Sequence, residues 1–253
     1  MICNHLTDLA SQAAARYALF TDGLRAVYRN ALNSQILDDA GASQEASQLA
    51  MTFLGSESAA REAAIQEIAE IAHTTTIDEI ASNDTESLSD EALEHLSVSG
   101  SYLADELLAQ ASRDIATMRR SIQRVRLEVS LASRSSGRSQ RAALVEYMIG
   151  NKADLEFFFH DKASRKWESK LFVRSVYRQT LLSIYNEVVL FTLADHGLDR
   201  AVVEHHSPDA QHDGMIIALS SSTELPTYSE IRETVFHPNA NAWLRKGFAN
   251  VYA

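Results

Sequence analysis

The chain has 253 residues, 45% of them hydrophobic, with a formal net charge of -11. That length and apolar fraction allow one large domain or two modest ones with a sizeable core. Three prolines and nine glycines are too few turn formers for an all-β protein, and a single cysteine, Cys3, excludes an internal disulfide framework and a cysteine-based zinc site.

Charge is unevenly distributed. Residues 1–112 carry a balance of -14, residues 113–150 carry +5 with eight arginines and no lysine, and residues 151–253 carry -2. The acidic first segment favours solubility and disfavours nucleic acid; the arginine segment is the exception. No basic n-region and apolar h-region open the chain. The longest apolar run, Leu181 to Ala194, is interrupted by Asn186 and Glu187, which argues against a membrane span.

In chain order, residues 4–33 read as a helix, with Leu6, Leu9, Ala13, Tyr17, Phe20, Leu24, Val27, Tyr28 and Ala31 at three- and four-residue steps. Residues 34–44 read as a turn, 45–54 as a short helix stopped by Gly55, and the next helix as ending near His73 before Thr74–Thr76. A further break is expected at 97–101 around Gly100. From Tyr102 an amphipathic helix of about 30 residues follows, with Leu103, Leu107, Ala111, Ile115, Met118, Ile122, Val125 and Val129 on one stripe. Ser133–Ser139 reads as a linker. Helices are expected at 140–149, 152–164 and 167–195, with His196-Gly197 as a C-cap. Residues 201–205 and 215–219 read as strands around a turn, and 220–240 as irregular. The expected fold is mainly α, with long helices and a small C-terminal β-hairpin module. The expected division is an acidic helical region over 1–132 ending in an Arg-rich helix, a linker over 133–139, and a module over 140–253.

The order helix, Gly, strand, polar turn, strand, loop is accompanied by three short motifs. Arg178-Gln179-Thr180 lies on the long helix with Asn186 eight residues beyond Arg178. Eight residues advance a helix about 80° past two full turns, so Arg178 and Asn186 share a face. His212-Asp213-Gly214 closes the turn, and His237-Pro238-Asn239 follows in the loop. Over about residues 170–245 this set resembles the C-terminal module of the Mu F-like phage minor head proteins. That module has an R-T-E…N helix, a turn ending in D-G and a terminal H-P-N-C-R-C. The departures are Thr180 for the Glu, Ala240 and Ala242 for the two Cys, and Ser207-Pro208-Asp209-Ala210 where a cysteine often follows the proline.

The resemblance implies a minor structural protein of a tailed-phage head, assembled in the host cytoplasm and held in the virion. It implies contact with the portal or major capsid protein, oligomeric placement within the particle, no catalysis, no cofactor and no membrane. The alternative readings are an enzyme or toxin-like effector carrying such a module, and an unrelated helical virion adaptor. Residues 1–130 speak against an effector, holding three histidines and one cysteine without a paired catalytic pattern.

Each motif also has a residue-level reading. Arg178 offers a planar fork of donors and Asn186 both donates and accepts, so together they suit a structural tie between helix and returning loop. His212-Asp213-Gly214 suits a turn in which Asp213 accepts a backbone N–H and Gly214 takes a positive φ. His237-Pro238-Asn239 suits a rigid loop corner. His205, His212 and His237 with Asp213 form a weak metal-ligand set, set against simple hydrogen bonding in the loop. Arg113, Arg119, Arg120, Arg124, Arg126, Arg134, Arg138 and Arg141 fit packaged DNA or an acidic partner, a solvated face, or internal neutralisation of the acidic region.

Overall fold

The computed structural model describes residues 2–34, 37–81, 87–150, 155–207, 210–221, 224–237 and 239–247. Its elements in chain order are helices α1 (Ile2–Asn33), α2 (Asp39–Ile80), α3 (Asp90–Ser136) and α4 (Gln140–Gly150), then strands β1 (Phe158–His160) and β2 (Lys166–Glu168). Helix α5 (Ser169–Asp195), strands β3 (Arg200–His205) and β4 (Ile216–Ala218), helix α6 (Tyr228–Val235) and strand β5 (Ala242–Lys246) complete it. The fold is mainly α with two small antiparallel sheets, as the low Gly and Pro content and the helical periodicity indicate.

The helices are longer than local signals suggest. Helix α2 runs through both Gly55 and Thr74–Thr76, and its buried Ala46, Ala50, Phe53, Ile65, Ile68 and Ala72 keep one apolar face on either side of Gly55. A helical glycine costs about 1 kcal/mol, which packing overrides. Thr76 is buried and returns its hydroxyl to the Ala72 carbonyl at 2.8 Å, so its polar atom is satisfied inside the helix. Helix α3 likewise continues through Gly100, where a Cβ would meet Ile65 Cδ1 at 3.3 Å. That glycine permits a close helix contact and does not break the chain. The end of α3 absorbs Ser133–Ser136, so only Gly137, Arg138 and Ser139 separate it from α4 and the expected linker is mostly helix.

Residues 158–168, expected as the end of one helix (152–164) and the start of the next (167–195), form a hairpin in register Phe158↔Glu168, Phe159↔Trp167 and His160↔Lys166. Aromatic residues suit strands, and Asp161 builds the turn. Its Oδ1 accepts the N–H groups of Ala163 and Arg165, both at 2.9 Å. The Arg165 backbone N–H holds this carboxyl below its ordinary pKa.

The second sheet has order β4-β3-β5 and is antiparallel throughout. Helix α5 reaches it through a Schellman-type end, in which Gly197 N–H meets the Ala194 carbonyl at 2.9 Å and Leu198 N–H meets that of Leu193 at 3.0 Å. Helix α6 and strand β5 both fall in or beside the stretch expected to be irregular. Thr227 and Glu230 start α6 as a capping box, Glu230 accepting the Thr227 N–H at 2.7 Å.

The chain divides into two compact units that do not follow a 1–132 and 140–253 boundary. One comprises Met1–Gln12, Ser58–Asp105 and Arg174–Ala253; the other comprises Ala13–Glu57 and Glu106–Val173. Helices α1, α2, α3 and α5 each contribute to both, and a break in local pattern cannot reveal such interleaving. Among the described residues, no helix is long and apolar enough to cross a membrane.

Candidate functional site

Helix α5 carries the best-defined polar constellation of the first unit. Its own Tyr177, Leu181, Ile184 and Val188 are buried, which fixes the helix and sets its polar side chains at defined heights. Arg178 is 8% exposed. Its Nη2 donates to the Ala240 carbonyl at 2.6 Å and to Asn241 Oδ1 at 3.2 Å, while Nε donates to Thr7 Oγ1 at 3.2 Å. Desolvation lowers the guanidinium's pKa from its usual value. The adjacent Gln179 donates to the Phe236 carbonyl at 2.9 Å. Asn186 is 0% exposed, and its Oδ1 accepts the Leu244 N–H of β5 at 2.8 Å. Three side chains of one helix therefore hold the backbone of residues 236–244.

That segment contains the third motif. The Ala240 N–H meets the His237 carbonyl at 2.8 Å, and the Asn239 N–H meets His237 Nδ1 at 3.3 Å, giving a local turn. Pro238 lies outside the described residues. Ala240 and Ala242, at the positions of the family's cysteines, are both buried.

The second motif sits at the β3–β4 turn. Asp213 Oδ1 accepts the His205 N–H at 2.8 Å, and Gly214 donates to the Val203 carbonyl at 2.8 Å with φ +76°. The turn is tied to the third motif's strand by the His206 N–H, which meets the Asn241 carbonyl at 2.9 Å. Gly214→Ala is expected to cost about 1–2 kcal/mol, the penalty of left-handed backbone for an L side chain. Urea unfolding of the two forms measures it.

The histidines of this region do not converge. His205 Nδ1 accepts the Ser207 N–H at 2.9 Å, and His237 Nδ1 is occupied in its own turn. His212 Nδ1 is buried without a hydrogen-bond partner among the described residues. Among those residues, no group of three His, Cys, Asp or Glu side chains is disposed to hold a metal ion.

The eight arginines belong to the second unit and are all exposed. Arg113 donates to Gln110 Oε1 at 2.9 Å and lies over the rings of Phe159 and Phe172. Arg124 pairs with Glu128 and Arg138 with Glu146, both at 2.8 Å. Arg120 bonds the Ala116 carbonyl at 3.3 Å. Arg119 and Arg126 line a pocket with Asp38 and Asp39, so part of the positive charge faces acidic residues of the same unit. Arg134 and Arg141 have no ion pair among the described residues.

Sequence reasoning did not reach a buried network in that unit. Asp114 is 1% exposed. It accepts from Tyr17 Oη at 2.7 Å, Ser169 Oγ at 3.0 Å and Gln110 Nε2 at 3.0 Å. Burial pushes its carboxyl up to about 6, against those three bonds and the Arg113 charge. Burial and the neighbouring Asp114 charge push the Tyr17 phenol up as well.

Thr7, and the bond made by Gln179 of the first motif, were not anticipated, because they depend on partners 171 and 57 residues away. The chain matches no protein-family model, no curated protein and no solved structure.

Proposed function

We propose that this chain is a minor structural protein of a tailed-phage head, akin to the Mu F-like group in its C-terminal part. It works by binding the portal or major capsid protein during head assembly, without turnover, and is retained in the virion in more than one copy. One observation carries the reading: Arg178 and Asn186, from the first of the three motifs behind the resemblance, hold the segment that follows the third. The second motif's Asp213 holds the His205 N–H, and the adjoining His206 N–H meets the Asn241 carbonyl of the same segment. These residues thus form one connected network that ties helix α5 to backbone and side-chain groups of the returning segment, a holding arrangement suited to a rigid binding surface. The exposed arginines of the second unit are the residues offered to packaged DNA or an acidic partner, with Arg134 and Arg141 the least neutralised.

Lysates of the cells that encode the chain provide a test. The chain is expected to co-sediment with portal- and capsid-containing assemblies and to remain with them after nuclease treatment. Sedimentation solely as a small species, at every stage of particle production, contradicts the proposal.

A further inference from the structure

The first unit contains a pocket of about 560 Å³ built from α1, α2, α5, β3 and β5. Three carboxylates line it, Glu67, Glu79 and Glu204, together with His5, Tyr185 and Trp243; no Lys or Arg does. Glu204 and Trp243 are direct cross-strand partners, so the sheet register places an acid beside an indole.

The acids keep unspent capacity. Glu67 meets His5 Nε2 at 2.8 Å, and Glu204 has Arg245 at 3.3 Å from outside the lining. The Glu79 carboxylate receives a backbone amide, Lys246 N–H at 2.9 Å, while the Lys246 ammonium bonds the Glu79 carbonyl at 3.0 Å.

Tyr185 is the second, independent observation. It is 3% exposed and lines the pocket, and no hydrogen bond to its hydroxyl is formed among the described residues. A buried phenol ordinarily finds a partner, so a hydroxyl opening into a pocket is a vacant hydrogen-bonding position. Burial, reinforced by the charges of Glu79 and Glu204, keeps this phenol neutral and able to accept.

We propose that the pocket binds a guanidinium group, with Tyr185 Oη accepting one N–H, the Glu67, Glu79 and Glu204 carboxylates neutralising the charge, and the Trp243 ring bordering the planar cation. The chemistry selects this class. Carboxylates match the guanidinium fork, aromatic rings favour its face, and its weak hydration makes transfer into a partly enclosed pocket cheaper than for an ammonium. The same group arrives on a small molecule or at the tip of a partner protein's arginine.

The test uses the full chain with Trp167→Phe, leaving Trp243 as the sole tryptophan reporter. Butylguanidinium is expected to give a saturable change in Trp243 emission, and pentanoate none. Tyr185→Phe is expected to weaken binding about tenfold, the loss of one hydrogen bond to a charged group. Thr75 lines the pocket at an exposed position on α2, so Thr75→Arg tethers a competing guanidinium without disturbing the core. That variant is expected to abolish the response while keeping the parent's thermal unfolding. A blocked Gly-Arg-Gly peptide binding more tightly than butylguanidinium assigns the group to a partner protein; equal or weaker binding assigns it to a small molecule. Absence of a saturable response to butylguanidinium, or equal affinities in the parent, Tyr185→Phe and Thr75→Arg, overturns the proposal.

Discussion

Arg178→Ala is expected to destabilise the protein by about 3 kcal/mol and to loosen the C-terminal strand before the rest of the first unit. The substitution removes donors to the Ala240 carbonyl, Asn241 Oδ1 and Thr7 Oγ1. Bonds to a charged group contribute about 1.5–3 kcal/mol each, and a buried carbonyl left without a donor adds its desolvation cost. Effects overlap where several bonds share one donor side chain, so the total falls well below the sum. Arg178→Lys is expected to recover only part of the loss, because an ammonium cannot present a planar fork to three acceptors. Urea unfolding measures the total, and amide exchange at Leu244 and its β5 neighbours reads the local opening. A variant as stable as the parent, with β5 protection unchanged, would remove the clamp from the account.

The second large effect depends on pH. The Asp114 carboxyl has a folded-state pKa of about 6, above the unfolded value of about 3.9. The native state binds this proton more tightly than the unfolded chain, so stability falls as pH rises between those two values. Above pH 6 the ionised, buried carboxylate costs about 3 kcal/mol relative to low pH. Asp114→Asn removes the charge while keeping an oxygen to accept from Ser169 or Gln110, and the Tyr17 hydroxyl can turn to accept the new amide. The difference in unfolding free energy between variant and parent is expected to rise in the variant's favour from pH 4 to pH 7. Taking the difference cancels the other titrating groups, which both proteins share. A flat difference across that range would show that Asp114 does not titrate within it.

These two centres were not equally legible. Arg178 and Asn186 stood out because helical geometry puts them on one face and both side chains carry several donors or acceptors. The tie to residues 240–244 needed only the chain's return past the helix. Asp114 carried no such mark. In sequence it is one acid within an arginine-rich helix, and its burial depends on Tyr17 and Ser169, 97 and 55 residues away.

The same distinction holds for the elements. The apolar stripes of α1 and α3 were plain, whereas Gly55, Gly100 and Thr74–Thr76 suggested breaks that tertiary packing overrides. The β1–β2 hairpin was hidden because the apolar run at Phe157–Phe159 carries no period that separates strand from helix. Helix α6 was readable in principle: Thr227-x-x-Glu230 is a capping box, but only eight residues of helix follow it. The interleaved units were not readable, because each long helix serves both.

The proposed role places the chain in the finished phage particle as a minor component. Mass spectrometry of density-gradient-purified particles, released by the cells that encode the chain, tests it most directly. The account predicts peptides from both units of the chain, at an abundance well below that of the major capsid protein and comparable with the portal. Purified, DNA-filled particles that yield full portal and capsid coverage but no peptide of this chain would contradict it.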